Sequence, residues 1–417
     1  MMAAMAVACF AQSGTNSPYS QYGLGVLSDQ SQGFSRGMNG AALGLRKGNV
    51  VNTLNPASYS AVDSMTMIFD VGLSGQVTNF KEGDASVNAN NANFEYAVGA
   101  FRLLQGVGVS FGVVPYSNVG YQYTSSTYLD RTNGTVTSTL KGEGGLRKVF
   151  IGAGVRVLPQ LSVGFNAAYL WGTIDKSVVS SSTTYINSLS KSYSASVSNY
   201  TLSFGAQWSQ RLTRKDELTL GAVFELGHKL GADAECSVVN IGTSGIRDTT
   251  KYVAENALEV PMSYGGGIAW RHGTKWLVDA DVMLQKWGDL KYPAFSTRED
   301  AYVKTRGLLK DRWQVNVGAD YVPNAMSLTY LKRVHYRLGA GYTTPYYIIN
   351  GVDGPKDISV SAGFGLPLQN RYNDRSVLNI SAQWVRSSAE NMITANMFRI
   401  NIGLTFNERW FFKWKID

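Results

Sequence analysis

LSVGFNAAYLWG, residues 161–172, sets Leu161, Val163, Phe165, Ala167, Tyr169 and Trp171 on one face. Ser162, Gly164, Asn166 and Gly172 fall mostly on the other. A period of two over this length describes a β-strand with one apolar face. Runs of the same kind recur almost to the last residue, and no long helical pattern interrupts them. That recurrence is how a transmembrane β-barrel is written, with lipid-facing and lumen-facing residues alternating along each strand.

Working outward, about fourteen such segments emerge. They run from Met65 to Gln76, Phe94 to Leu104, Val107 to Val114, Val149 to Val155, and the quoted stretch itself. Val197 to Gln210, Leu218 to Leu226, Met262 to Trp270 and Trp276 to Leu284 follow. The series closes with Trp313 to Tyr321, Tyr336 to Tyr342, Ile358 to Leu366, Leu378 to Trp384 and Phe398 to Phe406. An even number suits a bacterial single-chain barrel, whose termini then share one side.

The connections alternate between short and long. The long ones run from Tyr116 to Leu146, Thr173 to Ala195, Lys229 to Val260 and Lys286 to Asp311, rich in Ser, Thr, Asn and Asp, and are expected to be solvated loops. Short periplasmic turns and long extracellular loops place both termini in the periplasm. Tyr169, Trp171, Trp208, Trp270, Trp276, Trp287, Trp313 and Trp384 sit near strand ends and are expected to form aromatic girdles at the headgroups.

Composition agrees. Only 16% of the 417 residues are charged, against roughly 25% in ordinary soluble domains. Mean hydropathy is −0.12, and no run of 18 apolar residues marks a helical span. The net charge of +8 is dispersed, without the stripe that nucleic acid would require, and suits anionic lipid and lipopolysaccharide. With His228, His272 and His335 scattered at strand ends, neither a metal site, a cofactor nor a catalytic triad is indicated.

Residues 1–11, ending near Ala11, resemble the apolar part of a secretory signal. Cleavage there leaves Cys236 alone and excludes an intrachain disulfide. Residues 12–63 do not alternate and hold too few large apolar side chains for a core of their own. The lumen of a barrel this wide, spanning residues 64–406, is the natural place for them.

Arg36-Gly37-Met38-Asn39-Gly40-Ala41-Ala42, followed by Asn55-Pro56-Ala57, resembles the N-terminal hatch of the FadL/TodX outer-membrane transporters. The likeness continues in Lys148 to Gly172 and in Leu258-Glu259-Val260-Pro261 through Asp279-Ala280-Asp281 to Trp287. It implies an all-β, fourteen-stranded antiparallel barrel plugged by a hatch, passing hydrophobic molecules such as long-chain fatty acids or aromatic hydrocarbons. In that family the substrate leaves sideways at a kink in the third strand. Pro115, with Tyr116, Ser117 and Asn118 after it, is the candidate for that irregularity, although a loop could simply begin there.

Release into lipid is physically sensible, since an apolar solute gains roughly 25 cal/mol per Å² on leaving water. Two departures bear on this expectation. The chain continues past Phe406 as NERWFFKWKID, whose Trp410, Phe411, Phe412 and Trp414 suit an interfacial anchor or a docking surface. Asp70, Arg156, Asp279, Asp281, Asp320, Arg337 and Arg399 fall on lumen faces, where they pin a hatch or make the channel less than purely apolar. Some barrels resembling this family instead serve as subunits of an outer-membrane secretion or assembly machine. Passive uptake of a hydrophobic ligand is the first expectation and the scaffold role, with protein partners, the alternative.

Overall fold

The computed structural model describes residues 14–129, 134–182, 188–242, 246–296, 301–368 and 376–409. The signal-like residues 1–11 and the tail from Trp410 on, including Phe411, Phe412 and Trp414, lie outside the described residues.

Fourteen antiparallel strands form a closed barrel, one for each alternating segment. They are β1 (Thr66–Glu82), β2 (Ala85–Leu104), β3 (Val107–Leu129), β4 (Gly134–Arg156), β5 (Leu161–Ser182), β6 (Ser188–Arg211) and β7 (Asp216–Glu225). The remainder are β8 (Ser263–His272), β9 (Trp276–Gln285), β10 (Arg312–Tyr321), β11 (His335–Thr343), β12 (Lys356–Leu368), β13 (Ser376–Ser388) and β14 (Thr394–Arg409). Each pairs with its neighbour in sequence, and β1 pairs with β14 from Thr66↔Arg409 to Lys81↔Thr394, closing the ring. Closure joins the first and last strands, whose outer edges a flat sheet would leave exposed.

The period of two in sequence becomes in and out in space. In β5, Val163, Phe165 and Tyr169 are exposed while Ser162, Asn166, Ala168 and Leu170 are buried. The exposed face carries large apolar side chains on every strand, mostly Val, Ile, Leu and Phe, as lipid requires, and no helix among the described residues is long and apolar enough to cross a membrane.

Ten residues make up β7, whereas β3 has 23. A tilted strand crosses the hydrocarbon in about 9–11 residues, so β3 to β6 continue well beyond it. The expected loops from Tyr116 to Leu146 and Thr173 to Ala195 are therefore largely strand. The connection from Lys229 to Val260 likewise folds into a hairpin, Ala234–Ile241 with Arg247–Ala254, that adds to β6. Lys286 to Asp311 holds another, Tyr292–Ser296 with Ala301–Thr305. Clear of the lipid and only partly packed on one another, these segments lack the sustained apolar alternation of the belt, so their Ser and Thr content read as loop.

A core of Tyr121, Ile174, Tyr193, Val197, Leu230 and Trp287 packs at this long-connection end. Trp287, expected in the aromatic girdle, is instead 1% exposed, its ring 4.6 Å from that of Tyr346. The connection after β9 turns it inward, away from lipid.

Candidate functional site

Residues 14–65 bond to inward-facing residues of several strands, and three short helices organise them. Ser17 caps Pro18–Gln21, a second helix covers Gly33–Arg36, and Asn55 caps Pro56–Ala61. The Asn-Pro-Ala signature has a local cause. Asn55 Oδ1 accepts from the Ala57 N–H, Pro56 supplies a preset φ and needs no donor at the first turn, and Ala57 is fully buried. Asn55 Nδ2 donates to the carbonyls of Leu43 and, across to the wall, Ala206. The wall yields space: a Cβ on Gly164 would lie 2.5 Å from the Pro56 carbonyl carbon.

Charge fastens the rest. Arg36 is 2% exposed; its guanidinium reaches Glu95 of β2 at 3.0 Å and Asn401 of β14 at 2.9 Å, and donates to the Ser31 and Asp29 carbonyls. Burial opposes the charge on Arg36, but Glu95, Asp29 and Tyr96 together more than offset it, and its pKa rises. Gly37, next in the motif, lets the backbone close on Arg337, and its carbonyl accepts from Ser361 Oγ. Gly40 adopts φ +83°, a conformation that L side chains resist.

On the opposite wall, Asp281 accepts the N–H groups of Ala42 and Leu43 at 2.6 and 2.9 Å, with buried Asp279 beside it on the same face of β9. Asp320 binds Arg337 at 3.1 Å and His335 at 2.9 Å, with Lys47 at 3.9 Å. The Phe34 ring receives both the Arg337 guanidinium at 4.1 Å and the Lys47 ammonium at 4.4 Å. Burial pushes the Lys47 pKa below the usual lysine range, with Asp320 pulling the other way.

Asp70 accepts from Tyr96, whose hydroxyl in turn receives the Gly33 N–H. Arg399 binds Gln76, whereas Arg156 keeps lumen parity but stands exposed at the end of β4. His335, read from sequence as an interfacial residue, points inward to Asp320; beginning a strand on the lumen parity puts it there.

The wall is interrupted between β2 and β3. Their pairing runs from Leu104↔Val107 to Ala97↔Val113 and stops, after which β2 continues against β1 alone. From Val114 to Ser117 every side chain is buried, so β3 has turned inward. A register shift against β4 falls between Pro115 and Ser117. Pro115 thus lies inside a continuous strand, not at its end, because β4 follows the bend and keeps the pairing. Gly145 of β4, at φ +138°, allows this; a Cβ there would meet the Ser117 carbonyl at 2.4 Å.

The edge that β2 vacates is taken by the N-terminal segment. Val26↔Asn118 and Leu27↔Ser117 pair as a short strand, Ser28 N–H donates to the Tyr116 carbonyl, and Asn118 reaches Ser28 Oγ at 2.9 Å. A cavity of about 380 Å³ remains in the lumen, bounded by Glu95, Lys148, Glu225, Arg312, Asp357 and Arg399 among others. Among the described residues, no group of three His, Cys, Asp or Glu could hold a metal.

Several residues that seat the segment escaped the sequence reading: Glu95, Asn166, Lys176, Gln207 and Lys47. Asn166 accepts from Tyr59 and donates to the Thr53 carbonyl, Gln207 donates to the Leu43 and Leu45 carbonyls, and Lys176 donates to those of Gln21 and Gly23. Inward parity marked Asn166 as polar and lumen-facing, but parity does not say what the lumen contains.

A family model described as BamG matches residues 1–417. Among solved structures, the fold is similar to the Ralstonia pickettii toluene transporter TbuX at 14% identity, covering 93% of this chain and 99% of that one, with a TM-score of 0.62. A Pseudomonas aeruginosa FadL homologue matches at 11% identity, 93% and 100% coverage and a TM-score of 0.63. The Pseudomonas putida toluene transporter TodX matches at 16%, 93% and 100%, with 0.59. Among curated proteins, none matches by sequence. The barrel therefore has the FadL-type fold that its motifs resembled.

Proposed function

The chain belongs to the BamG family, and from that premise we propose that it is an outer-membrane barrel serving as a subunit of a barrel-assembly or secretion machine, with residues 14–65 acting as its hatch. The family's name is of the kind given to components of barrel-assembly machinery. The observation that carries the reading is the fastening of the hatch. It is held by buried charges to strands round the wall, at Glu95, Asp281 and Asp320, and the remaining cavity is bounded by eight Asp, Glu, Lys and Arg side chains, among them Asp29, Lys148 and Arg399. The cavity has apolar lining too, Leu43, Val114 and Phe150 among it, but a rigid plugged cylinder offers partners a fixed surface.

The short turns share one end with the start of β1 and the end of β14, so that end is assigned to the periplasm. Outer-membrane phospholipid and lipopolysaccharide surround the belt, and the tail from Trp410 to Trp414 is assigned to docking. No catalytic step belongs to this reading.

Mild-detergent purification of the tagged protein from native outer membranes tests it. Stoichiometric recovery of a second outer-membrane barrel is expected. Recovery of the chain alone, together with fatty acid or toluene uptake by liposomes that contain it, overturns it.

That uptake is the second reading, favoured by the break between β2 and β3 and by the transporters among the fold neighbours. Pro115, Tyr116, Ser117 and Asn118 would then border a lateral exit into lipid, where an apolar solute is released at no cost in desolvation.

A further inference from the structure

Among the described connections at the short-turn end, one differs from the rest. The turns between β2 and β3 and between β8 and β9 need only Gln105-Gly106 and Gly273 to Lys275, but the connection from β10 to β11 occupies residues 322–334. It is ordered by its own hydrogen bonds. Asn324 N–H donates to the Lys332 carbonyl, the Met326 N–H to Asn324 Oδ1 and the Lys332 N–H to the Thr329 carbonyl, around a short helix at Tyr330–Arg333. Its base is tied to the next turn through the Val322 N–H and the Lys275 carbonyl.

This ordered tip presents apolar side chains outward. Met326 is 93% exposed, Leu328 103% and Leu331 66%, and Tyr330 adds its ring. A rigid loop that leaves such a group uncovered is a place where something apolar normally sits. Its position says what. The Tyr336 hydroxyl donates to the Leu331 carbonyl at 3.1 Å, and Tyr336 lies on the outward face of β11 with Leu338. The same ring meets Phe364 of β12 edge-on at 5.8 Å, while Tyr321 of β10 packs against Trp276 of β9 at 4.3 Å. The loop thus folds against the aromatic girdle on the lipid side of the wall and not beneath the lumen.

Lys332 and Arg333 follow directly, with the Arg333 guanidinium 5.5 Å from the Tyr330 ring. Apolar residues continuous with the lipid belt and cations at its border form the pattern of an interfacial membrane segment.

We propose that residues 325–333 form an interfacial foot that inserts Met326, Leu328 and Leu331 into a phospholipid leaflet, with Lys332 and Arg333 on the phosphate groups. The foot fixes the depth and tilt of the barrel on one flank; the short turns bring smaller apolar groups to this end, Val157 with Leu158 and Leu212. A soluble periplasmic partner would leave the same side chains exposed in the isolated protein, so the purified chain in lipid separates the two.

The test uses the full chain in nanodiscs of phosphatidylethanolamine and phosphatidylglycerol, with Cys9 and Cys236 replaced by Ala and an environment-sensitive dye on Leu328→Cys. The same dye on Lys215→Cys, in the turn between β6 and β7 at the same end, controls for the dye's own affinity for lipid. A barrel that resists SDS until heated establishes that each variant has folded. At Leu328→Cys the emission should shift to the blue, quenching by iodide should be about threefold weaker than at Lys215→Cys, and a nitroxide high on the acyl chain should quench it. Adding Lys332→Glu and Arg333→Glu should reverse the shift in anionic discs. Equal iodide access at the two positions, or no response to the charge reversal, overturns the proposal.

Discussion

The Arg36 guanidinium and the Glu95 carboxylate meet at 3.0 Å with side-chain exposures of 2% and 7%, joining residues 14–65 to β2 inside the lumen. Ser74 also donates to Glu95 and Arg399 acts on its charge from nearby, but neither replaces the direct ion pair if the guanidinium is lost. Removing one partner of a buried pair costs about 3–5 kcal/mol. Arg36→Met should therefore lower the thermal unfolding midpoint and expose residues 14–65 to protease while the barrel stays resistant to SDS. Arg36→Met with Glu95→Gln should recover part of the loss. Unchanged protease resistance in the single variant would show that the pair does not hold the segment.

Gly164 leaves the space into which Pro56 packs. Overpacking ordinarily costs about 1–3 kcal/mol, but Gly164→Val sets its new methyl groups against a segment that is not part of the wall. The segment should undock before the barrel fails. Planar-bilayer recording should give larger and more frequent openings than the parent protein; an unaltered closed state would sink this expectation.

Leu27 and Ser117 are direct partners across an antiparallel pair, which puts their Cα atoms about 4.5–5.5 Å apart, within disulfide range. Leu27→Cys with Ser117→Cys should oxidise readily and lock the segment to β3. Under the scaffold reading, recovery of partner proteins should be unaffected. Under the uptake reading, hydrocarbon flux should fall on oxidation and return with reductant, so one variant separates the two.

Phe165 and Asn166 are adjacent but belong to different media, the first 47% exposed on the lipid face and the second 9% exposed in the lumen. A cation near the bilayer midplane costs about 2–4 kcal/mol in a barrel, so Phe165→Lys should cut the yield of folding into vesicles. Asn166→Ala leaves the Tyr59 hydroxyl and the Thr53 carbonyl without their bonds, a loss of about 1–3 kcal/mol. It should leave insertion unchanged and loosen residues 53–59, seen as faster amide exchange there. Equal effects on insertion would contradict the assignment of faces.

Where a strand has lipid on one side and a polar lumen on the other, the medium writes itself into every second residue. All fourteen strands were legible for that reason. The contrast fades beyond the membrane, and with it the signal: Thr173 to Ala195 read as loop although Ile174↔Ala195 and Val178↔Lys191 are strand pairs. The inward turn of β3 was half legible. Pro115 announced an irregularity, but Gly145, which lets β4 follow, is one glycine among 44. Glu95 was harder still, since its meaning depends on a residue 59 positions away. The Arg36-Gly37 and Asn55-Pro56-Ala57 motifs stood out because helix capping and close approach to the wall restrict residue type locally.

The anchors of residues 14–65 also constrain the order of events during biogenesis. Arg36 bonds to Asn401 across 365 residues of sequence, and Asn39 to Ser359 across 320. The stretch that leaves the ribosome early therefore waits for the last hairpins before it can settle. Contacts of such long range close slowly. For that interval its unmet arginine and backbone amides need water or a chaperone. Seating and ring closure then become a single late step, and an arrested intermediate would hold a nearly complete wall around an empty bore.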